Sequence, residues 1–187
     1  MVTILYLVRH AQSNYAEGEE RSRGLTDVGE NHSLRIRDLL KEEKIDAFIS
    51  SPYERAIATI RPAAEQQDME IRLYEDLRER AMGYFEPDAF LDAKRKLYAD
   101  KTFAYPGGES SVAAQARAVK VLEQILLAHK GTTLAIGTHG DIMTLMLQYY
   151  DPQVDYAFWA ALSMPDIFKL TFIEKQLQHV RRIWSHD

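Results

Sequence analysis

Cysteine is absent from the chain of 187 residues. A protein without cysteine forms no disulfides, binds no zinc through thiolates and has no cysteine nucleophile. Any covalent catalysis must therefore rest on other side chains. The composition also fits an expected cytoplasmic location.

Long hydrophobic runs are missing as well. No stretch reaches the roughly 18 consecutive apolar residues that a membrane-spanning helix needs, so we expect no membrane contact. The segment Met1–Leu5 lacks the basic region and cleavage site of a signal peptide, and we expect it to begin the first strand instead.

Positive charge is in short supply, because 23 Lys and Arg residues oppose 28 Asp and Glu residues, which gives a formal net charge of -5. This balance argues against a nucleic-acid partner, which usually meets a basic stripe. It is compatible with a small anionic substrate, since a few arginines focused in a cleft create a local positive potential. The length and the 46% hydrophobic content indicate one globular domain spanning residues 1–187.

Strand and helix patterns alternate along the chain. Apolar runs predict strands that end near Arg9 and that cover about 45–50, 69–74 and 132–138, and alternating residues at 167–172 and 178–183 predict a closing hairpin. Helices are expected at about 27–43, 52–66, 88–100, 110–130, 141–149 and 155–161. Alternation of this kind predicts an α/β protein with a largely parallel sheet. The segment 81–108 is expected to be a lid-like excursion.

Charged and imidazole side chains follow the predicted strands where they end. Arg9 and His10 follow the first strand, Arg55 and Glu79 follow the second and third, and His139 follows the fourth. Sites in open parallel sheets lie beyond the carboxyl ends of the strands, so we expect these five residues to converge. Asp76, Glu75 and Glu86 are nearby alternatives to Glu79.

This set of residues fits phosphoryl transfer. Neutral imidazole is a competent nucleophile near pH 7, and arginine binds phosphate oxygens bidentately without losing its proton. A carboxyl group whose pKa is adjusted by its neighbours can protonate the leaving oxygen. The two histidines and Asp141 do not have a recognisable metal-ligand spacing. We therefore expect neither a metal nor another cofactor.

The motifs resemble those of the histidine phosphatase superfamily, the phosphoglycerate mutase-like proteins, over nearly the whole chain. The similar segments are Val8-Arg9-His10-Ala11-Gln12-Ser13, Gly24-Leu25-Thr26 with Gly29, Ser50-Ser51-Pro52 with Arg55, Leu77-Arg78-Glu79, Pro106-Gly107-Gly108-Glu109-Ser110 and Thr138-His139-Gly140. The resemblance implies a three-layer α/β/α sandwich. It also implies a phosphohistidine on His10, a phosphate pocket of Arg9, Arg55 and His139, and Glu79 as the proton donor.

One departure from the family favours a phosphatase over a mutase. Ala16 stands where the mutases have asparagine, and the short Arg21–Leu25 region lacks their longer loop. Water must reach the phosphohistidine of a phosphatase, whereas a mutase protects it. Asn14 or Ser22 is a candidate replacement for the missing donor.

The expected function is hydrolysis of a small phosphorylated metabolite. Candidate substrate contacts are Ser13, Asn14, Ser22, Gly140, Tyr84 and Tyr105. A phosphoglycerate mutase and a non-catalytic phosphoprotein-binding module are the alternatives. The oligomeric state is left open between a monomer and a homodimer.

Overall fold

A six-stranded mixed sheet organises the protein, whose computed structural model describes residues 1–15 and 18–185. The strands are β1 (Val2–Arg9), β2 (Ala47–Ser50), β3 (Ile71–Leu73), β4 (Thr133–Thr138), β5 (Asp166–Ile173) and β6 (Gln176–Arg182). Their order across the sheet is β3-β2-β4-β1-β5-β6. The first four are parallel, β5 runs antiparallel to β1, and β6 closes the sheet as the antiparallel partner of β5.

Helices cover both faces of the sheet. They are α1 (Asp27–Leu40), α2 (Glu54–Gln66), α3 (Phe90–Ala99), α4 (Ser111–Ala128), α5 (Gly140–Tyr150) and α6 (Tyr156–Ala160), with short 3-10 turns at Glu75–Leu77 and Pro87–Ala89. Strand β1 is buried on both sides: Leu5 and Leu7 join the core that includes α4 and α5, while Tyr6 and Val8 join the core of α1 and α2. The expected three-layer sandwich with a closing antiparallel hairpin is confirmed.

The first helix does not bury all of its apolar residues. It is capped by Thr26, whose hydroxyl accepts the Gly29 N–H at 3.1 Å. However, the helix ends at Leu40 rather than residue 43, and Val28, Leu34 and Leu39 are exposed. The residues that it buries are Gly29, Ser33, Ile36 and Leu40.

The second helix begins later than predicted. Pro52 was expected at the first helical position, but α2 starts at Glu54 after the cap residue Tyr53. The Ser51 hydroxyl instead accepts the Tyr53 N–H at 3.2 Å, which forms a turn ahead of the helix. Pro62 lies inside α2, which continues to Gln66.

The segment 81–108 lies between β3 and α4 and contains α3. Ala93, Leu97 and Tyr98 of α3 are buried, so this part of the segment packs against the body of the protein. Across the described ranges 1–15 and 18–185, no helix is long and apolar enough to cross a membrane.

Candidate active site

The carboxyl ends of β1 and β4 place two histidines side by side. Arg9 is the register partner of Thr138, and the His10 N–H donates to the Thr138 carbonyl at 2.9 Å. The imidazole centroids of His10 and His139 are consequently 5.3 Å apart, in an edge-to-face arrangement. Parallel pairing of two buried strands thus brings together residues that are distant in the sequence.

The hydrogen bonds of His10 define which ring nitrogen is available. Nδ1 lies 2.8 Å from the Ala11 carbonyl oxygen, which can only accept, so Nδ1 carries the proton. The Nε2 lone pair then faces the Arg55 guanidinium, whose Nε–H donates to it at 3.3 Å. Burial, reinforced by the charge of Arg55, lowers the pKa of His10 to about 3. The ring is therefore neutral and nucleophilic at physiological pH.

This depressed pKa predicts a histidine that does not titrate in the usual range. Because the neutral form persists above about pH 3, the Nε2 resonance of His10 should remain that of a neutral Nδ1–H ring between about pH 8 and pH 5. Long-range nitrogen–proton NMR correlation measures it, with the His10→Ala spectrum to assign the signal. Titration of that resonance near 6.5, the ordinary pKa of histidine, would contradict the prediction.

Arg55 lies in the first turn of α2 and is 1% exposed. Its Nη1 donates to the Glu20 carbonyl oxygen at 2.5 Å, and its Nη2 donates to the Glu20 carboxylate at 3.1 Å. Arg23 approaches the same carboxylate at 3.4 Å and donates to the Ser13 hydroxyl at 2.9 Å. The Glu20 carboxylate thus occupies a position between two guanidiniums, where an anion binds favourably.

Glu20 should therefore compete with phosphate. The Glu20→Gln variant is expected to bind inorganic phosphate about two- to fivefold more tightly, because the phosphate no longer has to displace a carboxylate from Arg55. The gain is small because the side chain of Glu20 is half-exposed, and solvent weakens such an ion pair. The inhibition constant for phosphate measures the effect. The control is Glu19→Gln, which removes the same charge from the neighbouring residue. An identical gain in that variant would show that the effect comes from the net charge of the protein and not from the contact between Glu20 and Arg55.

Arg9 is held by the loop after α6 and by the start of α5. Its Nη1 donates to the Leu162 and Ser163 carbonyl oxygens at 3.3 Å and 3.0 Å. A Cβ atom at Gly140 would come within 3.1 Å of the guanidinium carbon of Arg9. Gly140 therefore lets Arg9 lie against the first turn of α5.

His139 lies behind His10 and is 0% exposed. Its Nε2 is 2.7 Å from the Ser51 hydroxyl oxygen, and its ring packs edge-to-face on Tyr53 at 5.1 Å. Its Nδ1 is buried and has no hydrogen-bond partner among the described residues. Burial, followed by the nearby His10 and Arg55, lowers the pKa of His139 well below its usual value, so this ring is also neutral.

Glu79 sits at the amino end of α5. Its carboxyl oxygens accept the backbone N–H groups of Arg80 at 3.0 Å, Asp141 at 3.1 Å and Ile142 at 3.0 Å. Burial, and then repulsion from Asp141, raises the pKa of Glu79, against the opposing charge of Lys94 and the bonds from the backbone. A carboxyl group in this state can hold and deliver a proton.

A buried ionic cluster lies next to Glu79. The carboxylate of Asp141, which is 1% exposed, accepts from Lys94 Nζ, from Arg80 Nε at 3.2 Å and from the Tyr98 hydroxyl at 2.9 Å. Arg80 also donates to the Ser111 hydroxyl at 2.7 Å. These hydrogen bonds and ion pairs join helices α3, α4 and α5 next to Glu79, the proposed proton donor.

One cleft of about 1170 Å³ collects most of the predicted site residues. Arg9, His10, Arg55 and Glu79 line it, together with Ser13 and Tyr84. His139, Asn14, Ser22, Gly140 and Tyr105 are absent from its lining. His139, expected in the phosphate pocket, is fully buried next to His10. The Asn14 amide donates to the Leu25 carbonyl at 3.0 Å, Ser22 is exposed, Gly140 packs on Arg9, and the Tyr105 ring packs on Phe103 at 4.8 Å. The alternatives Asp76, Glu75 and Glu86 are outside the lining too.

Sequence reasoning missed several residues of the cleft. Gln12, Glu20, Arg23, Tyr53, Lys94 and Trp159 all line it. Arg23 comes from the short loop in which Asn14 or Ser22 was expected to replace the missing asparagine, and it supplies a cation there instead. Ala16 itself lies outside the described residues. Within residues 1–15 and 18–185, no group of three His, Asp or Glu side chains is arranged to hold a metal ion.

The model of the histidine phosphatase superfamily (branch 1) matches residues 5–182. The chain belongs to this superfamily. It is 30% identical over 155 residues to putative phosphoserine phosphatase 2 of Hydrogenobacter thermophilus, covering 76% of each protein. It is 28% identical over 164 residues to phosphoglycerate mutase-like protein 4 of Arabidopsis thaliana, covering 79% of this chain and 71% of that one. Against a bifunctional protein of Mycobacterium tuberculosis, at 27% identity, it spans 43% of that protein's length.

Solved structures share the fold. A mycobacterial glucosyl-3-phosphoglycerate phosphatase superposes with a TM-score of 0.75 at 20% identity, covering 97% of each chain. A phosphoserine phosphatase of Entamoeba histolytica, in complex with phosphoserine, superposes with a TM-score of 0.76 at 18% identity, covering 95% of this chain and 96% of that one. At these identities the likeness establishes the architecture alone.

Proposed function

We propose that this protein hydrolyses a small phosphorylated metabolite in the cytoplasm, without a metal, through a phosphohistidine on His10. Its family and its site make the chain a phosphoric monoester hydrolase. The observation that carries the proposal is the neutral His10 ring, whose Nδ1–H is bonded to the Ala11 carbonyl and whose Nε2 lone pair faces the Arg55 guanidinium in an open cleft.

In the first step, Nε2 of His10 attacks phosphorus while the bond from phosphorus to the alcohol oxygen breaks. The guanidiniums of Arg9 and Arg55 neutralise the phosphoryl oxygens, which displaces the Glu20 carboxylate from Arg55. The Ala11 carbonyl, 2.8 Å from Nδ1, stabilises the positive charge that develops on the imidazole. Glu79 gives its proton to the leaving oxygen, and the alcohol departs.

In the second step, a water molecule attacks phosphorus and the P–N bond breaks. The carboxylate of Glu79 accepts the proton of that water, so the acid of the first step is the base of the second. Inorganic phosphate leaves, and His10 and Glu79 return to their starting states. Each proton lost in one step is regained in the other.

The charges of the cleft favour an anionic substrate. Among the described residues that line it, five are cationic (Arg9, Arg23, Arg55, Arg80 and Lys94) and two are anionic (Glu20 and Asp141), because Glu79 is protonated when substrate binds. The resulting excess of positive charge favours binding of a phosphate dianion.

Rapid acid-free quenching during turnover of a phosphorus-labelled ester tests the proposal. We expect acid-labile, base-stable label on His10, stoichiometric phosphate release, and no loss of rate after treatment with a chelator. With 3-phosphoglycerate, we expect any turnover to give phosphate and no 2-isomer. Absence of label would favour the binding module, and isomer formed in excess of phosphate would favour the mutase.

A further inference from the structure

The wall of the cleft beside Glu79 is aromatic. Tyr84, Phe85, Phe90 and Trp159 line it, and we call these four residues the aromatic wall. Phe90 stands 6.3 Å from both Phe85 and Trp159, measured between ring centroids, so three of the four rings form a continuous row. Phe90 is 43% exposed and Tyr84 is 81% exposed, which leaves ring surface open to a ligand.

Lys94 connects this wall to the proton donor. Its Nζ lies 5.3 Å from the centroid of Phe90 and 4.8 Å from the indole of Trp159, and it donates to Asp141. The backbone N–H of Asp141 in turn donates to Glu79 at 3.1 Å. Because Glu79 protonates the leaving oxygen, the aromatic wall borders the space that the alcohol part of the substrate occupies.

Tyr84 is held in place by backbone despite its exposure. Its N–H donates to the Pro106 carbonyl at 2.9 Å, and Gly83 before it has φ +85. A Cβ atom at Gly107 would come within 2.8 Å of Cε2 of Tyr84, so the ring lies directly against the Gly107 backbone. A phenol ring fixed in this way offers a face for stacking at little entropic cost.

The surroundings of the aromatic wall disfavour a small acidic alcohol. Lys94, the cation next to the wall, is already paired with Asp141 and lies over two of the rings. The cleft of about 1170 Å³ is also larger than the roughly 300–1,000 Å³ of typical small-molecule sites. A three-carbon carboxylate ester would place its carboxylate beside apolar rings and would leave most of the aromatic wall in water.

We propose that the substrate is a phosphate monoester whose alcohol carries an uncharged aromatic group, which stacks on the aromatic wall. This inference rests on the proposed function and deepens it. The stacked ring would hold the leaving oxygen beside Glu79. It would also replace the water that otherwise covers the rings of Tyr84 and Phe90.

Three esters test the proposal in steady-state kinetics: benzyl phosphate, cyclohexylmethyl phosphate and 3-phosphoglycerate. The first two are primary alkyl esters of nearly equal size, so they differ mainly in the π-face. We expect kcat/KM to be highest for benzyl phosphate, by about fivefold or more over cyclohexylmethyl phosphate, as a stacking contact provides. The 3-phosphoglycerate ester should be the poorest substrate.

Three variants test whether the preference for benzyl phosphate comes from the aromatic wall. Tyr84→Leu should lose most of the benzyl preference, Tyr84→Phe should keep it, and Tyr149→Leu, at a half-exposed tyrosine of α5 outside the cleft lining, should resemble the wild type. Equal rates for the two alkyl esters, or a preference for 3-phosphoglycerate, would overturn the inference while leaving the hydrolase intact. Failure of all three esters to release phosphate would overturn both proposals.

Discussion

Replacing His10 by alanine should lower kcat/KM for an aryl phosphate by about a thousandfold or more. The Nε2 atom of the neutral imidazole faces the Arg55 guanidinium in the cleft, and removal of an enzymatic nucleophile usually eliminates nearly all turnover. His139, the second histidine at this edge of the sheet, is not placed to substitute, because it is 0% exposed and lies next to the ring of His10.

The fold should survive this substitution. His10 follows β1 rather than lying within it, and its backbone N–H bond to Thr138 does not involve the side chain. A thermal melt and a circular dichroism spectrum of the variant should resemble those of the wild type. His179→Ala, at an exposed position of β6, is the matched control for purification and metal content. A His10→Ala protein with more than about a tenth of the wild-type rate would disprove the nucleophile assignment.

Substitution of Glu79 by glutamine should produce a loss that depends on the leaving group. An alkyl ester, whose alkoxide is a poor leaving group, should lose about 10²- to 10⁴-fold in kcat/KM, which reports the first step and which a general acid usually raises by this factor. The loss in kcat/KM for p-nitrophenyl phosphate should be far smaller, since its leaving oxygen departs without a proton. Glu86→Gln provides the control, because this exposed carboxylate follows Glu79 in the same segment and does not line the cleft.

The pH dependence of kcat for the alkyl ester also tests the role of Glu79 as the acid. Glu79 acts as an acid only while it is protonated, so the first step is fast below the pKa of Glu79 and slows above it. Burial raises that pKa above the ordinary value of a glutamate, 4.5, which moves the alkaline limb of the kcat profile toward neutral pH. The limb should disappear in Glu79→Gln. A limb that is unchanged in that variant would assign the acid role to another group.

The central strands and the histidines could be predicted because their signals are local. Continuous apolar runs in β1 and β4 predict buried strands, and polar residues at their carboxyl ends predict a site. The face of α1 could not be predicted in this way. A Cβ atom at Gly29 would lie 2.0 Å from the Gln12 carbonyl oxygen, so the helix packs against the loop after β1 through a small residue, and counting apolar positions gives the wrong face.

The charged residues of the cleft that sequence reasoning missed lacked any local signal. Glu20 pairs with Arg55 across 35 positions, and Lys94 reaches Asp141 across 47 positions. Neither loop nor helix spacing encodes such contacts, because tertiary packing alone creates them. The same holds for the aromatic wall, in which Trp159 of α6 completes a row begun by Phe85 and Phe90.

The position of β1 in the sheet also determines when the site can form during biosynthesis. Among the described strands, β1 pairs with β4 and β5, and its contacts with β4 begin at Ile4 and Thr133. The strand that carries the nucleophile is therefore synthesised before both of its neighbours, which follow more than a hundred residues later. Long-range pairing of this kind slows folding, and an incomplete chain exposes an apolar strand that other chains can pair with. Nascent chains that end before β4 should consequently depend on chaperones, and the sheet and the site can form only once β4 and β5 have been synthesised.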